Sequence, residues 1–152
     1  MKKLIMAATI VATCFAIPAY AATDAECQAE WTKADADKNG TLSDNESMRY
    51  TAAMRVHDKQ MVDGKLDKAS FMDACKGDVY MLKTTDAGAP LKGANSFTEN
   101  QAKDRALAQG LTAVSGLKKD DDGIWRGTAT QDGKSVQVAI DYKGNVVPQP
   151  AP

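Results

Sequence analysis

The chain has 152 residues, 43% of them apolar, with 19 basic and 20 acidic side chains, one histidine and a formal net charge of -1. That near-balance excludes the basic field that nucleic-acid binding requires. The length bounds the core to one domain or two small ones, and the order of elements along the chain favours two.

The chain begins MKK and continues LIMAATIVATCFAI, a charged stretch followed by an apolar one, with Ala19-Tyr20-Ala21 placing small residues at cleavage positions. Residues 1–21 are thus predicted to be a leader, with maturation after Ala21 and a periplasmic or secreted destination. The apolar run is too short and too poorly flanked for a membrane span, and no later segment is apolar enough, so no stable membrane anchor is expected. Cys14 raises lipid anchoring as an alternative, but Thr13 precedes it where Gly, Ala or Ser is expected. Loss of Lys2 and Lys3 with the leader leaves 17 basic residues against 20 acidic, a net charge of -3. In an oxidising compartment Cys27 and Cys75 are expected to pair. Such a bond would close a long loop and stabilise by roughly 3 to 4 kcal/mol. Two lone thiols make a poor zinc site, and no C-x-x-C is present for redox chemistry.

The segment from Asp24 to Ala34, carrying Cys27 and Trp31, is predicted to be a helix with Asp24 as its N-cap. It leads into DADKNGTLSDNE, residues 35–46, which satisfies D-x-[DN]-x-[DN]-G-x5-E at every specified position. A hard cation takes six to eight oxygens at short range. Here Asp35 and Asp37 offer carboxylates, Asn39 an amide oxygen, Thr41 its main-chain carbonyl, Ser43 a water-mediated contact and Glu46 a closing pair of oxygens. Gly40 stands where the chain must turn with positive φ, and Leu42 at an apolar position suited to joining two loops. A chance Asp/Asn-rich turn is the bland alternative, and the agreement of six constrained positions argues against it. The following SMRYTAAMRVH places Met48, Ala52 and Val56 at four-residue steps, which predicts an amphipathic helix with a Met-rich core stripe.

The stretch HDKQMVDGKLDKASF repeats the frame, with Gly64, Leu66 and Phe71 in the roles of turn glycine, joining residue and first core residue. Lys59, Met61 and Ser70 fall at ligand positions, so three ligands are lost. Asp58, Asp63, the carbonyl of Lys65 and Asp67 would form a weak second site only if the loop carried an extra residue. Its expected role is structural, with the Leu66 segment pairing against Leu42 in a short antiparallel contact. Residues 24–77 resemble a bacterial secreted EF-hand pair with one competent loop. The resemblance implies an all-α unit that binds calcium through Asp35, Asp37, Asn39, Thr41 and Glu46, with Ser43 indirect. Secreted modules of this kind bind at about 10⁻⁴ to 10⁻³ M, which suits structural saturation. A lanthanide, similar in size and hardness, is the alternative ion.

After Tyr80 the stretch KTTDAGAPLKGANS is rich in small residues, Gly and Pro, and residues 80–95 are predicted to be a linker. Thr98 with Gln101 is a capping-box signature, with Phe97 as a staple, predicting a helix to Gln109 that ends at Gly110 and buries Ala102, Ala106 and Leu107. Three turn signals, DDDG, QDGK and KGN, then separate alternating apolar runs and predict an antiparallel meander, with Val136, Val138, Ile140 and Tyr142 on one face. Trp125 is expected in the second strand, either in a small core or capping an exposed face. Asp120, Asp121 and Asp122 read as an acidic tight turn, with a second cation site as the alternative. The A/Q-rich helix, the D-G-x-W turn and the closing D-x-x-G-x-V hairpin are similar to the PepSY-like domains of exported bacterial proteins. That resemblance implies peptidase restraint or protein interaction and brings no catalytic residues.

The sequence therefore predicts an α+β protein. Residues 1–21 form a leader, 22–79 an all-α EF-hand pair with a degenerate second loop, 80–95 a linker, 96–148 a helix-plus-antiparallel-meander PepSY-like domain and 149–152 a tail. His57 is the one histidine, no G-x-S-x-G occurs, and no nucleophile and base converge, so no enzymatic activity is expected. The expected function is that of an exported, monomeric, non-catalytic calcium-binding protein of structural or regulatory role. The alternative is a peptidase inhibitor or protein-interaction module whose partner is a periplasmic protein or peptidase.

Overall fold

A computed structural model describes residues 21–59, 61, 64–81 and 88–150; the expected leader, apart from Ala21, lies outside the described residues. The fold is α+β, with four helices, a two-stranded ribbon and a four-stranded antiparallel sheet among these residues. Helix α1 spans Asp24–Ala34. Its cap is Thr23 rather than Asp24: the Thr23 hydroxyl accepts from Glu26 N at 3.3 Å, and the Glu26 carboxylate accepts from Thr23 N at 2.8 Å. This reciprocal box satisfies two amides that the first turn leaves open. Asp24 lies in that turn instead, where a negative charge is favourable, and it pairs with Lys76 at 3.1 Å.

Helices α2, Asp44–Val56, and α3, Lys68–Lys76, complete the helical half. Helix α2 leaves the first loop and leads into the second, so three helices serve two loops. The disulfide expected from the sequence joins Cys27 of α1 to Cys75 of α3, with Cα atoms 5.9 Å apart. Beside it, Phe71 receives Trp31 edge-on at 5.2 Å between centroids and Tyr50 at 4.9 Å, with Tyr80 5.0 Å from both Phe71 and Tyr50. Strand β1, Thr41–Leu42, pairs antiparallel with β2, Leu66–Asp67, setting Leu42 opposite Leu66 as the spacing of the glycines predicts.

Helix α2 does not present the single Met48/Ala52/Val56 stripe. Met48 and Val56 are half-buried, whereas Tyr50, Thr51, Ala52, Ala53 and Met54 are all buried, because α2 also packs on helix α4, Glu99–Ala108. The core is continuous across this contact, running from Cys27 to Val146. The α4 cap is the expected Thr98–Gln101 box, and Ala102, Ala106 and Leu107 are buried.

The sheet is a meander, β3 Thr112–Lys119, β4 Trp125–Gln131, β5 Lys134–Ile140 and β6 Val146–Pro150, in that spatial order. Trp125 is half-buried, and its Nε1 donates to the Phe97 carbonyl at 3.1 Å, which ties β4 to the segment leading into α4. Val136, Val138 and Ile140 are buried as predicted, but Tyr142 is exposed. The period of two breaks at Ala139, buried like Val138 and Ile140 on either side, and the run of buried residues ends on the fully buried Asp141. Its carboxylate accepts from the main-chain N–H groups of Lys143 and Asn145, turning the chain off the strand path before Tyr142.

The second part of the predicted linker is tied to the sheet. Leu91 N donates to Asp141 Oδ2 at 3.1 Å, Gly93 N to the Asp122 carbonyl at 3.0 Å, and Lys119 Nζ to the Asn95 carbonyl at 3.1 Å. Residues 82–87 lie outside the described residues. Asp120 caps the DDDG turn, accepting from Asp122 N and Ile124 N and pairing with Arg126 at 2.7 Å, as an acidic tight turn does. No helix among the described residues is long and apolar enough to cross a membrane.

Candidate metal centre

The end of α1 and the start of α2 hold the loop from Asp35 to Glu46. Asp35 caps the C-terminus of α1, its N–H donating to the Trp31 carbonyl at 2.9 Å, which fixes where its carboxylate begins. The chain then turns through Gly40 at φ +82°, a left-handed conformation that disfavours residues with a Cβ. That turn folds Gly40 N back on Asp35, 3.2 Å from Oδ2. Glu46, in the first turn of α2, reaches across the loop so that its Oε1 accepts from Ala36 N at 2.9 Å and Asp37 N at 3.2 Å. As a result, carboxylate oxygens of Asp35, Asp37 and Glu46 lie within 4.8 Å of one another.

Three carboxylates at that spacing repel unless a cation lies among them, and an all-oxygen donor set suits a hard ion. Asp35 is buried, Glu46 half-buried and Asp37 exposed, so the charges gather at a partly desolvated place where a cation interacts more strongly than in water. Asn39 Oδ1 accepts from Thr41 N at 2.8 Å, and Asn39 Nδ2 donates to Asp37 Oδ2 at 2.8 Å. These bonds set the loop's curvature and leave one lone pair on the amide oxygen. Thr41 enters β1, so its main chain is anchored by the ribbon. Ser43 is the N-cap of α2 yet makes no side-chain cap bond, and Asp44 beside it has φ +45°. The sequence pattern names the side-chain oxygens; the amides of Ala36, Asp37 and Gly40 that aim two of those carboxylates carry no side-chain signal.

The second set is not gathered in the same way. Asp67 is the N-cap of α3 and accepts from Ser70 N at 2.9 Å and Ser70 Oγ at 3.1 Å. Asp58 and Lys65 are exposed, and Asp63 lies outside the described residues. Among the described residues, the acidic group placed to share an ion is the first loop's. Comparison of the chain with protein-family models, curated proteins and solved structures yields no match.

Proposed function

We propose that this is an exported calcium-binding protein in which one EF-hand-type loop, Asp35 to Glu46, holds a single ion that braces the junction of α1 and α2. The observation that carries the reading is the convergence of the Asp35, Asp37 and Glu46 carboxylates within 4.8 Å. The oxygens of Asn39 and Thr41 and a water held by Ser43 would complete the coordination of a hard cation. The ion would neutralise three crowded charges and tie the entering helix to the leaving one. Both outer helices are already joined by the disulfide. That constraint suits a bracing ion better than one that opens the helices.

Calorimetric titration of the calcium-stripped protein tests this directly. One site is expected, and Glu46→Gln should remove it or weaken it severely, because it deletes one of the closing oxygens. Two sites would mean that the second loop also binds, and a Glu46→Gln protein with unchanged affinity would overturn the assignment. Terbium supplies a second readout. Trp31 lies one helical turn before Asp35, close enough to sensitise a lanthanide in the loop, and the same titration ranks a lanthanide against calcium.

A second reading, in which the PepSY-like half engages a protein partner, draws its support from the outer face of the sheet. Ser115, Thr128, Gln137 and Gln149 form one exposed cross-strand row of uncharged hydrogen-bonding groups. The sheet edges suit a partner less, since β3 carries register shifts and β6 ends with Pro148 and Pro150, which hinder strand addition.

A further inference from the structure

A second feature stands apart from the cation loop. A cavity of about 350 Å³ lies among α1, α2 and the turn after α3, walled by Glu26, Glu30, Arg49, Asp78, Tyr80 and Met81. This is within the size range of small-molecule sites. Tyr80 is 8% exposed, and its hydroxyl is the buried side-chain polar atom among the described residues that has no hydrogen-bond partner. Folded proteins pair nearly all such groups, so a buried hydroxyl left open calls for a partner from outside. Burial also pushes its phenol pKa well up, so the group stays neutral.

The charges around it are unequal. Three carboxylates face one guanidinium, and Arg49 is already held by Glu30 at 3.3 Å, on the oxygen that also accepts from the Tyr50 hydroxyl at 2.9 Å. Glu26 closes the Thr23 cap. Asp78 has no ion pair among the described residues, and its main chain is held at φ +56° in the turn that swings Tyr80 inward and leaves Met81 64% exposed. Met81, Ala22 and the Cys75 side of the disulfide supply apolar wall.

We propose that this cavity binds a small organic ammonium, an aliphatic mono- or diamine, whose charged end meets Asp78 and the Tyr80 hydroxyl while its methylenes lie along Met81 and Ala22. An ammonium offers donors and no acceptor, which matches a set of carboxylates and an open phenolic oxygen. Its alkyl chain suits the flexible, polarisable thioether. The site shares no residue with the cation loop, so it stands or falls independently of calcium binding.

The test is an NMR titration of the full protein with 1,5-diaminopentane, following the Met81 methyl, with 1-pentanol as the uncharged control. Saturating calcium keeps the diamine from the acidic loop. A pH of about 9 leaves the diamine charged while a free α-amino group at Ala22 is mostly neutral and does not compete. A saturable Met81 shift with the diamine and none with pentanol is expected. Asp78→Asn, which tolerates the positive φ, and Tyr80→Phe, which keeps the ring, should each weaken binding about tenfold. The near-ultraviolet spectrum of the aromatic cluster reports whether Tyr80→Phe is folded; if it is not, Asp78→Asn decides. No saturable shift, an equal response to pentanol, or unchanged affinity in the folded variants would overturn the proposal.

Discussion

Arg55, in the last turn of α2, grips Asp104 of α4 with two parallel contacts, Nη2 to Oδ1 at 2.7 Å and Nε to Oδ2 at 3.0 Å. The pair bridges the helical half and the meander half, at the opposite end of α2 from Glu46. Bidentate geometry strengthens it, but the Arg55 side chain is 44% exposed, so solvent screens the attraction. A double-mutant cycle with Arg55→Ala and Asp104→Ala, read by urea unfolding, should give a coupling of about 1 kcal/mol. The coupling should shrink in high salt. A value indistinguishable from zero would assign the α2–α4 seat to apolar packing alone.

The disulfide constrains the helical half more strongly. Cys27 and Cys75 are 48 residues apart, and in the chain-entropy account closing such a loop stabilises by about 4 kcal/mol. The paired replacement Cys27→Ala with Cys75→Ala is expected to lower stability by roughly that amount. Alanine is the fitting choice because Cys27 is fully buried and a serine hydroxyl there would lack a partner. Thermal unfolding with and without reductant checks it: the wild-type midpoint should fall in reductant and the double variant's should not move. A wild-type protein indifferent to reductant while fully reduced would show that the helices hold without the bond.

Acid should weaken the fold through its caps. The Thr23 backbone and hydroxyl bonds hold the Glu26 carboxyl below its ordinary 4.5; the Ser70 backbone and hydroxyl do the same for Asp67, and the Ile124 amide with Arg126 for Asp120, both below 3.8. A carboxylate whose pKa is depressed by folding contributes stability that is complete above its unfolded pKa and is lost as pH falls through the folded one. Urea midpoints measured without calcium should therefore be flat near neutrality and decline below about pH 4.5. Thr23→Val, which removes the hydroxyl that donates to Glu26 and keeps the main-chain N–H that does so more strongly, should make that decline modestly shallower. An unchanged acid slope would place the acid sensitivity elsewhere.

Local signals were legible in the sequence and long-range ones were not. Thr98 with Gln101, the loop from Asp35 to Glu46, and the Leu42–Leu66 pairing are all written within a few residues or in a repeated frame. The burial of Thr51 and Ala53 was hidden, because it depends on α4 arriving from some 50 residues away. Asp141, fully buried, is hidden in part for the same reason: its bonds from Lys143 and Asn145 are local, but Leu91 donates to its carboxylate from 50 residues away. The acidic cluster of Asp35, Asp37 and Glu46 could be read because side-chain oxygens at fixed spacing define it. The cavity beside Tyr80 could not, since Glu26, Asp78 and Tyr80 come from separate turns with no shared pattern.

The strap before α4 offers a last measurable consequence. Gly93 passes over Gly123 so closely that a Cβ on Gly123 would strike the Gly93 carbonyl oxygen, and Gly123 also has φ +77°, a conformation unfavourable for alanine. Gly123→Ala must therefore displace either the strap or the DDDG turn, a loss on the order of 2 kcal/mol or more. Asp141→Ala attacks the other anchor, deleting the carboxylate to which four N–H groups donate, those of Leu91, Lys143, Asn145 and the Asn145 side chain. Hydrogen bonds to a charged group are worth about 1.5 to 3 kcal/mol each, so the loss should be the larger of the two even after water replaces some of them. Hydrogen exchange separates the anchors: Leu91 N–H should lose protection first in Asp141→Ala, and Gly93 N–H, which donates to Asp122, first in Gly123→Ala. If both amides lose protection together in either variant, the strap detaches as one unit and its two anchors are cooperative.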